Sequence, residues 1–436
     1  MHFLDQKSPY FIIRHWPKHL PLAVVCSNTQ AGLRISLTSP ASSLELSKGA
    51  HCIFARDSIQ TASERNPPDS PLAFLEHELS RPDPPLYWIA AFSYDLAPHL
   101  EPAAAPLRQS TWPLATLHRC NWSATHDQAS NRWQLTGDLD AALAALTQLE
   151  PAPANCTLNA PHLESNRDHY LRATRRALEL IRAGDIYQVN LAHRLHADLQ
   201  GSPRALAADI FQSARPWHGC YLETESPRRA IISSSPELFL ERLGSRITTR
   251  PMKGTRPINA DERELFNAEK DRAELNMIVD LMRNDLGRVC SVGSIRVDVP
   301  RQLERHAQSV LQATATVSGS LRPGITFSEI LAATFPPGSV TGAPKIRAMQ
   351  IIEELEGEPR GPYCGSIGLI HPDGNFSLNV AIRTSLLTHR CADTWNLDYR
   401  VGAGIVADSS PECEWTETLD KAHVLCRHTT HERAST

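Results

Sequence analysis

Thr248-Thr249-Arg250-Pro251-Met252-Lys253-Gly254-Thr255-Arg256-Pro257 is the stretch on which the reading of this chain turns. Pro251 fixes its own φ and biases Arg250 toward an extended backbone. Gly254 lets the chain bend or pass close to a neighbour. Just upstream, residues 230–240 and 246–249 read as the two strands of a hairpin, so the stretch continues a sheet. A lysine held at such a turn acts as a nucleophile if burial or a neighbouring cation lowers its pKa. Taken by itself, Lys253 reads better as a solvated surface charge, as most lysines are.

Working outward, the second half of the chain is regular. Residues 165–183 carry helical periodicity and stop at Gly184, and residues 186–192 alternate as a strand does. Residues 261–284 read as one amphipathic helix. Residues 344–356 read as another, with Pro344 at its first position and Gly357 just past its end. Strands are expected at 364–370, 376–388 and 398–407, and a last helix from Pro411 to about Arg427. Hairpin-like strands with segregated helices predict an α+β fold with large antiparallel sheets, not a βαβ array. The first half has fewer signals: a strand over 86–92 and an Ala-rich helix over 138–149. The Pro/Ala run at 150–154 is expected to divide residues 1–150 from residues 160–428.

Composition narrows the function. The 436 residues are 41% hydrophobic with a formal net charge of −4, which argues against nucleic acid or an anionic membrane as the main partner. No stretch reaches the apolar length of a membrane span, and residues 1–26 lack the basic head and apolar core of a signal peptide. Ten scattered cysteines form no CxxC pair and read as reduced thiols, so the expected location is cytoplasmic.

Several constellations could carry chemistry. Glu414, Glu417 and Lys421 share a helix face, and Glu274 lies on a second helix. Two helices that each offer carboxylates can hold Mg²⁺, or can be ordinary solvated faces. Residues 335–345 form a Pro/Gly-rich turn entering a helix, either an anion site or a plain cap. Gly402 and Gly404 on a strand leave amides open to a ligand, and Arg383 suits a bidentate grip on a carboxylate or a structural ion pair. Together these features suit a small, multiply carboxylated substrate with a divalent metal.

In combination the motifs resemble the chorismate-utilising enzymes, most closely the aminodeoxychorismate synthase component I branch. The matching segments are GDIYQVNLAHR (184–194), SSSPELFLE (233–241), TRPMKGTRP (249–257), AELNMIVDLMRNDLGRV (273–289), FPPGSVTGAPKIRAMQIIEELE (335–356), GPYCGSIG (361–368), AIRT (381–384) and GAGIVADSSPECEWTETLDKA (402–422). The resemblance implies two large, mainly antiparallel sheets packed as a sandwich with helices outside, the two regions forming one intertwined unit. It implies Lys253 as the covalent nucleophile and Glu237, sixteen positions upstream, as general acid. Glu274 and Glu417 would hold Mg²⁺ with help from Glu414. Gln188, Gly254, Thr255, Thr341, Tyr363, Arg383, Gly402, Gly404 and Lys421 would meet the substrate.

Two positions select among relatives. Water-adding members carry a lysine where Gln188 stands, and anthranilate-forming members typically carry alanine where Lys253 stands. The family histidine near the C4 hydroxyl falls at Gln312, which hydrogen-bonds but cannot donate as His⁺ would. The implied reaction converts chorismate and ammonia to 4-amino-4-deoxychorismate. No Gly-x-Cys-x-Gly segment occurs, so ammonia is expected from a separate glutamine amidotransferase subunit. The rival expectations are an anthranilate synthase component I and a non-catalytic chorismate-binding subunit.

Overall fold

The computed structural model describes residues 4, 6–29, 32–48, 53–57, 70–104, 106, 108–163, 166–225, 228–257, 261–306 and 310–429. Two 11-stranded sheets dominate it. In the first, the strands run in the order Gly342–Ala343, Gln188–Gly201, Thr394–Ile405, Thr384–Cys391, Arg228–Ser233, Cys220–Glu225, Ala23–Thr29, Gly32–Thr38, Trp122–Asp127 and Arg132–Gly137, with Cys156–Leu158 also on Gln188–Gly201. In the second the order is Met252–Pro257, Val310–Ser320, Arg246–Arg250, Leu238–Leu243, Phe376–Asn379, Ser366–Ile370, Tyr87–Phe92, Ala115–Cys120, Ser42–Lys48 and Ile53–Asp57, with Arg296–His306 also on Val310–Ser320. The ladders within both sheets are antiparallel, as expected for an α+β sandwich. Strands from residues 23–137 and from residues 188–405 are interleaved in both sheets. For example, Ala23–Thr29 pairs with Cys220–Glu225, and Tyr87–Phe92 pairs with Ser366–Ile370.

The period of two along a strand explains the layers. Tyr87–Phe92 is buried on both faces. Its Tyr87, Ile89 and Ala91 join Ala23, Val25, Leu222, Ile231 and Leu386 in the core between the sheets. Its Trp88, Ala90 and Phe92 face outward to a second core, closed by the helices Pro71–Leu79, Glu269–Gly287 and Phe327–Thr334. The first sheet is covered outside by Pro203–Ala214, Leu139–Thr147 and the end of Pro411–Cys426. Helix Arg167–Arg182 buries Tyr170, Leu171, Thr174, Ala177 and Leu178, a 3.6-residue stripe, and Gly184 follows at φ +82°.

Three expected elements change. The strand expected over 230–240 is two strands, Arg228–Ser233 in one sheet and Leu238–Leu243 in the other, with the chain crossing between sheets at 234–237. The strand expected over 376–388 divides in the same way, with Phe376–Asn379 and Thr384–Cys391 in different sheets. At 234–237 the Ser-Ser-Pro-Glu run interrupts the apolar pattern and marks the crossing, whereas Val380-Ala381-Ile382 carries the apolar character through the second one. The helix expected over 261–284 breaks at Ala268, whose ψ of 108° separates Glu262–Asn267 from Glu269–Gly287.

A buried ion pair locks the crossing region. The Arg360 side chain is 1% exposed and donates to Glu356 through Nη2, 2.5 Å from Oε1, and through Nε, 2.9 Å from Oε2. Its remaining donors reach Val340 O at 3.0 Å and Asn190 O at 2.8 Å, and its guanidinium lies 4.7 Å from the Tyr94 ring centroid. Glu356 Oε1 also accepts from the Ala192 N–H at 2.8 Å. Breaking such a pair leaves a bare buried charge, at a cost of about 3–5 kcal/mol. Arg360→Met should lose about that much unfolding free energy in urea, and Glu356→Leu/Arg360→Met should recover part of it. A single variant as stable as the native chain would show that the pair does not hold the fold.

Candidate active site

The site forms where an edge of each sheet meets the other. Gly342–Ala343 ends the first sheet and Met252–Pro257 ends the second. Gln188–Gly201 pairs with Thr394–Ile405 so that Asn190 lies opposite Gly404 and Ala192 opposite Gly402. By strand alternation Gln188, Asn190, Gly402 and Gly404 share one face. A Cβ on Gly404 would lie 2.7 Å from Gln188 Nε2 and 3.2 Å from Lys253 Nζ. One on Gly402 would lie 2.9 Å from Asn190 Oδ1. These two glycines therefore form a floor without side chains, and Lys253 of the other sheet reaches down onto it.

Lys253 is positioned by a bulge. The register of Met252–Pro257 against Val310–Ser320 slips between Lys253 and Thr255, and Gly254 takes φ +72°. A Cβ there would also lie 2.8 Å from Leu265 Cδ1 and 2.9 Å from Asp271 Cγ, so glycine is required twice over. The Lys253 side chain is 11% exposed, with Nζ 3.9 Å from Glu274 Oε2.

Glu237 sits across the hairpin, at the point where the chain crosses between sheets. It is buried and hydrogen-bonded to Ser339 and to the Met252 backbone, with Lys253 and Arg383 within electrostatic reach. Burial outweighs these partners and raises its pKa to about 7. Near neutrality this carboxyl is therefore divided between an acid that can donate and a base that can accept.

The carboxylates assigned to metal are held by lysines. Glu414, itself buried, accepts from Lys270 at 3.3 Å, and Glu417 pairs with Lys421 at 2.7 Å. Burial raises the Glu274 pKa against the pull of Lys253 and Lys270. Burial also acts to raise Glu417, but Lys421, Lys253 and Lys270 together hold it below the ordinary glutamate range. Among the described residues no three His, Cys, Asp or Glu side chains converge as a ready metal cage. The donors are all carboxylate oxygens on two facing helices, with positive charge already lodged between them. That chemistry fits a hard divalent cation such as Mg²⁺.

Other predicted residues take varied places. The Lys421 ammonium also donates to Gly402 O at 2.7 Å, tying the acidic helix to the glycine floor. Thr341 is fully buried, and its hydroxyl donates to Pro337 O at 2.8 Å. Arg383 has φ +50°, a strained value for an arginine, and burial lowers its pKa with Tyr399 and Glu237 opposing. Tyr363 is buried against Arg360, 5.9 Å from ring to guanidinium. The side chain of Thr255 lies outside the described residues; its backbone pairs with Gln312. Lys253 pairs with Ala313, which belongs to the helix-facing core, so Gln312 takes the opposite face of the strand from Lys253. Helix Lys345–Glu356 follows a cap at Pro344 that makes no side-chain cap bond, and Lys345 turns away to Asp285 at 2.5 Å.

Three residues of the site escaped the motif reading: Ser339, Lys270 and Asn190. Lys270 stands one turn before Glu274, and Asn190 two positions after Gln188, spacings that could have revealed both. For Ser339 no local signal exists.

A family profile described as chorismate binding enzyme matches residues 26–427. The chain belongs to this family. Its relatives include the aminodeoxychorismate synthase component 1 of Escherichia coli, 35% identical over 86% of this chain and 86% of that protein. The anthranilate synthase component 1 1 of Haloarcula marismortui is 41% identical over 66% of this chain and 59% of its own length. That of Thermus thermophilus is 44% identical over 60% of this chain and 56% of its own length. The chain thus spans little more than half of these two anthranilate synthases. Among solved structures, anthranilate synthase component I from Streptococcus pneumoniae superposes with a TM-score of 0.73 at 25% identity, covering 97% of this chain and 98% of that one. MenF, the menaquinone-specific isochorismate synthase of Escherichia coli, shares the fold at a TM-score of 0.68 and 18% identity, covering 97% and 91%.

Within this family member, Glu237 supplies a stability test. Its carboxyl titrates near 4.5 when unfolded and at about 7 in place. The folded state therefore holds the extra proton between those values, and stability from this group is complete below about pH 4.5 and lost as pH rises toward 7. Glu237→Gln, which mimics the protonated form, should be more stable than the native chain at pH 8, by up to ~3 kcal/mol, and equal to it at pH 4. Paired thermal melts at the two pH values check this, and an equal difference at both would refute it.

Proposed function

We propose that the chain is an aminodeoxychorismate synthase, converting chorismate and ammonia to 4-amino-4-deoxychorismate. The observation that carries this reading is Lys253 Nζ lying over the bare Gly404 floor, with the buried carboxyl of Glu237 nearby. Lys253 attacks C2 of the ring, the double bonds shift, and the C4–O bond breaks. The departing hydroxyl takes the Glu237 proton and leaves as water. Ammonia then adds at C4, the double bonds return, and the C2–Lys253 bond breaks. The proton shed by the added ammonia restores Glu237. Pyruvate stays on the ring.

Arg383, Thr341, Tyr363 and the amides of Gly402 and Gly404 would orient the substrate carboxylates. Glu274 and Glu417, assisted by Glu414, would hold Mg²⁺, which when bound neutralises the ring carboxylate. Gln188 is an amide and takes no proton from water, which disfavours water as nucleophile. A separate glutamine amidotransferase subunit would supply the ammonia in the cytoplasm. Among the described residues no helix is long and apolar enough to cross a membrane.

A second reading has its own support, since anthranilate synthase relatives reach 41% and 44% identity. One assay separates the two. Incubated with chorismate, Mg²⁺ and an ammonium salt, the chain should yield 4-amino-4-deoxychorismate by mass; anthranilate as major product would favour the second reading. Lys253→Ala should lose the protein–substrate adduct in intact mass spectra and at least 100-fold in turnover. Turnover at the native rate would remove Lys253 as nucleophile.

A further inference from the structure

Lys270 belongs to none of the roles above, and its position runs against the helix it sits on. It is the second residue of Glu269–Gly287, between Glu269 and Asp271. Acidic side chains suit the start of a helix, and a lysine there opposes the helix dipole. Helix stability therefore does not account for it. Its ammonium instead crosses to the other acidic helix and donates to Glu414 Oε1 at 3.3 Å. The Glu414 side chain is 3% exposed, and among the described residues no other side chain donates to it. Glu274 and Glu417 lie within electrostatic reach of the same ammonium. One lysine thus faces all three carboxylates assigned to the metal.

The three lysines of the site are not equally free to move. Lys253 is 11% exposed and lies over the glycine floor. Lys421 is tied twice, to Glu417 at 2.7 Å and to Gly402 O at 2.7 Å. Lys270 is 46% exposed, and Glu414 is its one hydrogen-bond partner among the described residues. A long, flexible stem lets such an ammonium move into water by breaking a single bond. Its departure would leave Glu414 as a bare buried carboxylate, a costly state unless another cation takes its place.

We propose that Lys270 is the resident cation of the acidic pocket, standing at Glu414 in the metal-free chain and withdrawing into solvent when Mg²⁺ binds. Metal uptake is then an exchange of one cation for another, and Glu414 is never left bare. Lys270 stabilises the metal-free chain at this point and weakens its apparent affinity for the metal by the same factor. The proposal rests on the reading of Glu274, Glu414 and Glu417 as the metal site and is independent of which product forms on the ring.

The test is calorimetric titration of the whole chain with magnesium chloride alone, at fixed pH and ionic strength, paired with thermal melts. Lys270→Met keeps the apolar stem and removes the charge. It should bind Mg²⁺ about fivefold more tightly than the native chain, the effect of losing one partly exposed competing ion pair. Its metal-free Tm should fall below the native value, and saturating Mg²⁺ should close most of that gap. Lys270→Arg, which keeps the charge, should bind Mg²⁺ no more tightly than the native chain. Lys270→Gln, neutral but able to hydrogen-bond Glu414, should lie between the native chain and Lys270→Met, and covers the case in which the methionine variant does not fold. Unchanged or weaker Mg²⁺ affinity in a folded neutral variant overturns the exchange and leaves the metal reading standing. Failure of the native chain and both neutral variants to bind Mg²⁺ overturns the metal reading as well. Neither result alters the amination reading, which the product assay decides.

Discussion

The site depends on Arg360 and Glu356 being buried together. Arg360 spends its donors on Glu356, Val340 O and Asn190 O, and Glu356 spends an oxygen on the Ala192 N–H. The pair thereby fastens the Pro/Gly-rich turn to the strand Gln188–Gly201. That strand carries Gln188 and Asn190, and the turn carries Ser339 and Thr341. Two charges taken out of water give little net stability, but each holds the other in one geometry. The benefit is a fixed register between a loop and a strand that lack a long ladder of their own. Gly342–Ala343 contributes just two residues of pairing, to Gln188 and Val189.

Around that anchor the charges alternate. Lys253 faces Glu274, Lys270 faces Glu414, and Lys421 faces Glu417. Each lysine lowers the cost of burying a carboxylate, and each carboxylate does the same for a lysine. A multiply charged substrate and a divalent cation can enter such a lattice by exchanging partners instead of burying bare charge. Glu237 stands apart because its hydrogen bonds go to a hydroxyl and a backbone N–H, and Lys253 and Arg383 act on it only through their charge. Desolvation therefore dominates there, and this carboxyl, unlike Glu417, moves toward neutrality in its titration.

Much of the fold was legible because local rules and burial agreed. Helix Arg167–Arg182 shows its stripe and its glycine stop, and Pro411–Cys426 shows its proline start. The crossing at 234–237 had a local signal in Ser234-Ser235-Pro236, but a proline and hydroxyls mark a break without saying which sheet the chain enters next; the crossing at 380–383 was hidden in the apolar Val380-Ala381-Ile382. The break at Ala268 was hidden for a similar reason, because the periodicity of Glu262–Asn267 continues into Glu269–Gly287. Of the site, the motif residues could be named one by one. Their grouping could not, and Gln312 shows why: a one-residue step along a strand reverses the face, and the bulge at Gly254 sets which residues step.

The sequence by itself determined the chemistry on offer: a turn lysine, a glutamate sixteen positions before it, two acidic helices and a pair of strand glycines. It also showed that the chain is free to bend at Gly254, while the positive φ and the close Leu265 and Asp271 contacts that require glycine there came from the structure. Only the tertiary structure decided that Lys253 and Gly404, which are 151 positions apart in the chain, come within reach of one another. Only it decided that Glu237 is buried deeply enough to titrate near neutrality and that Lys270 meets the buried carboxylate of Glu414. The physical reason is that burial and hydrogen-bond satisfaction depend on what crosses the space between two sheet edges. Those neighbours come from strands and turns far apart in the chain, beyond the reach of any local pattern.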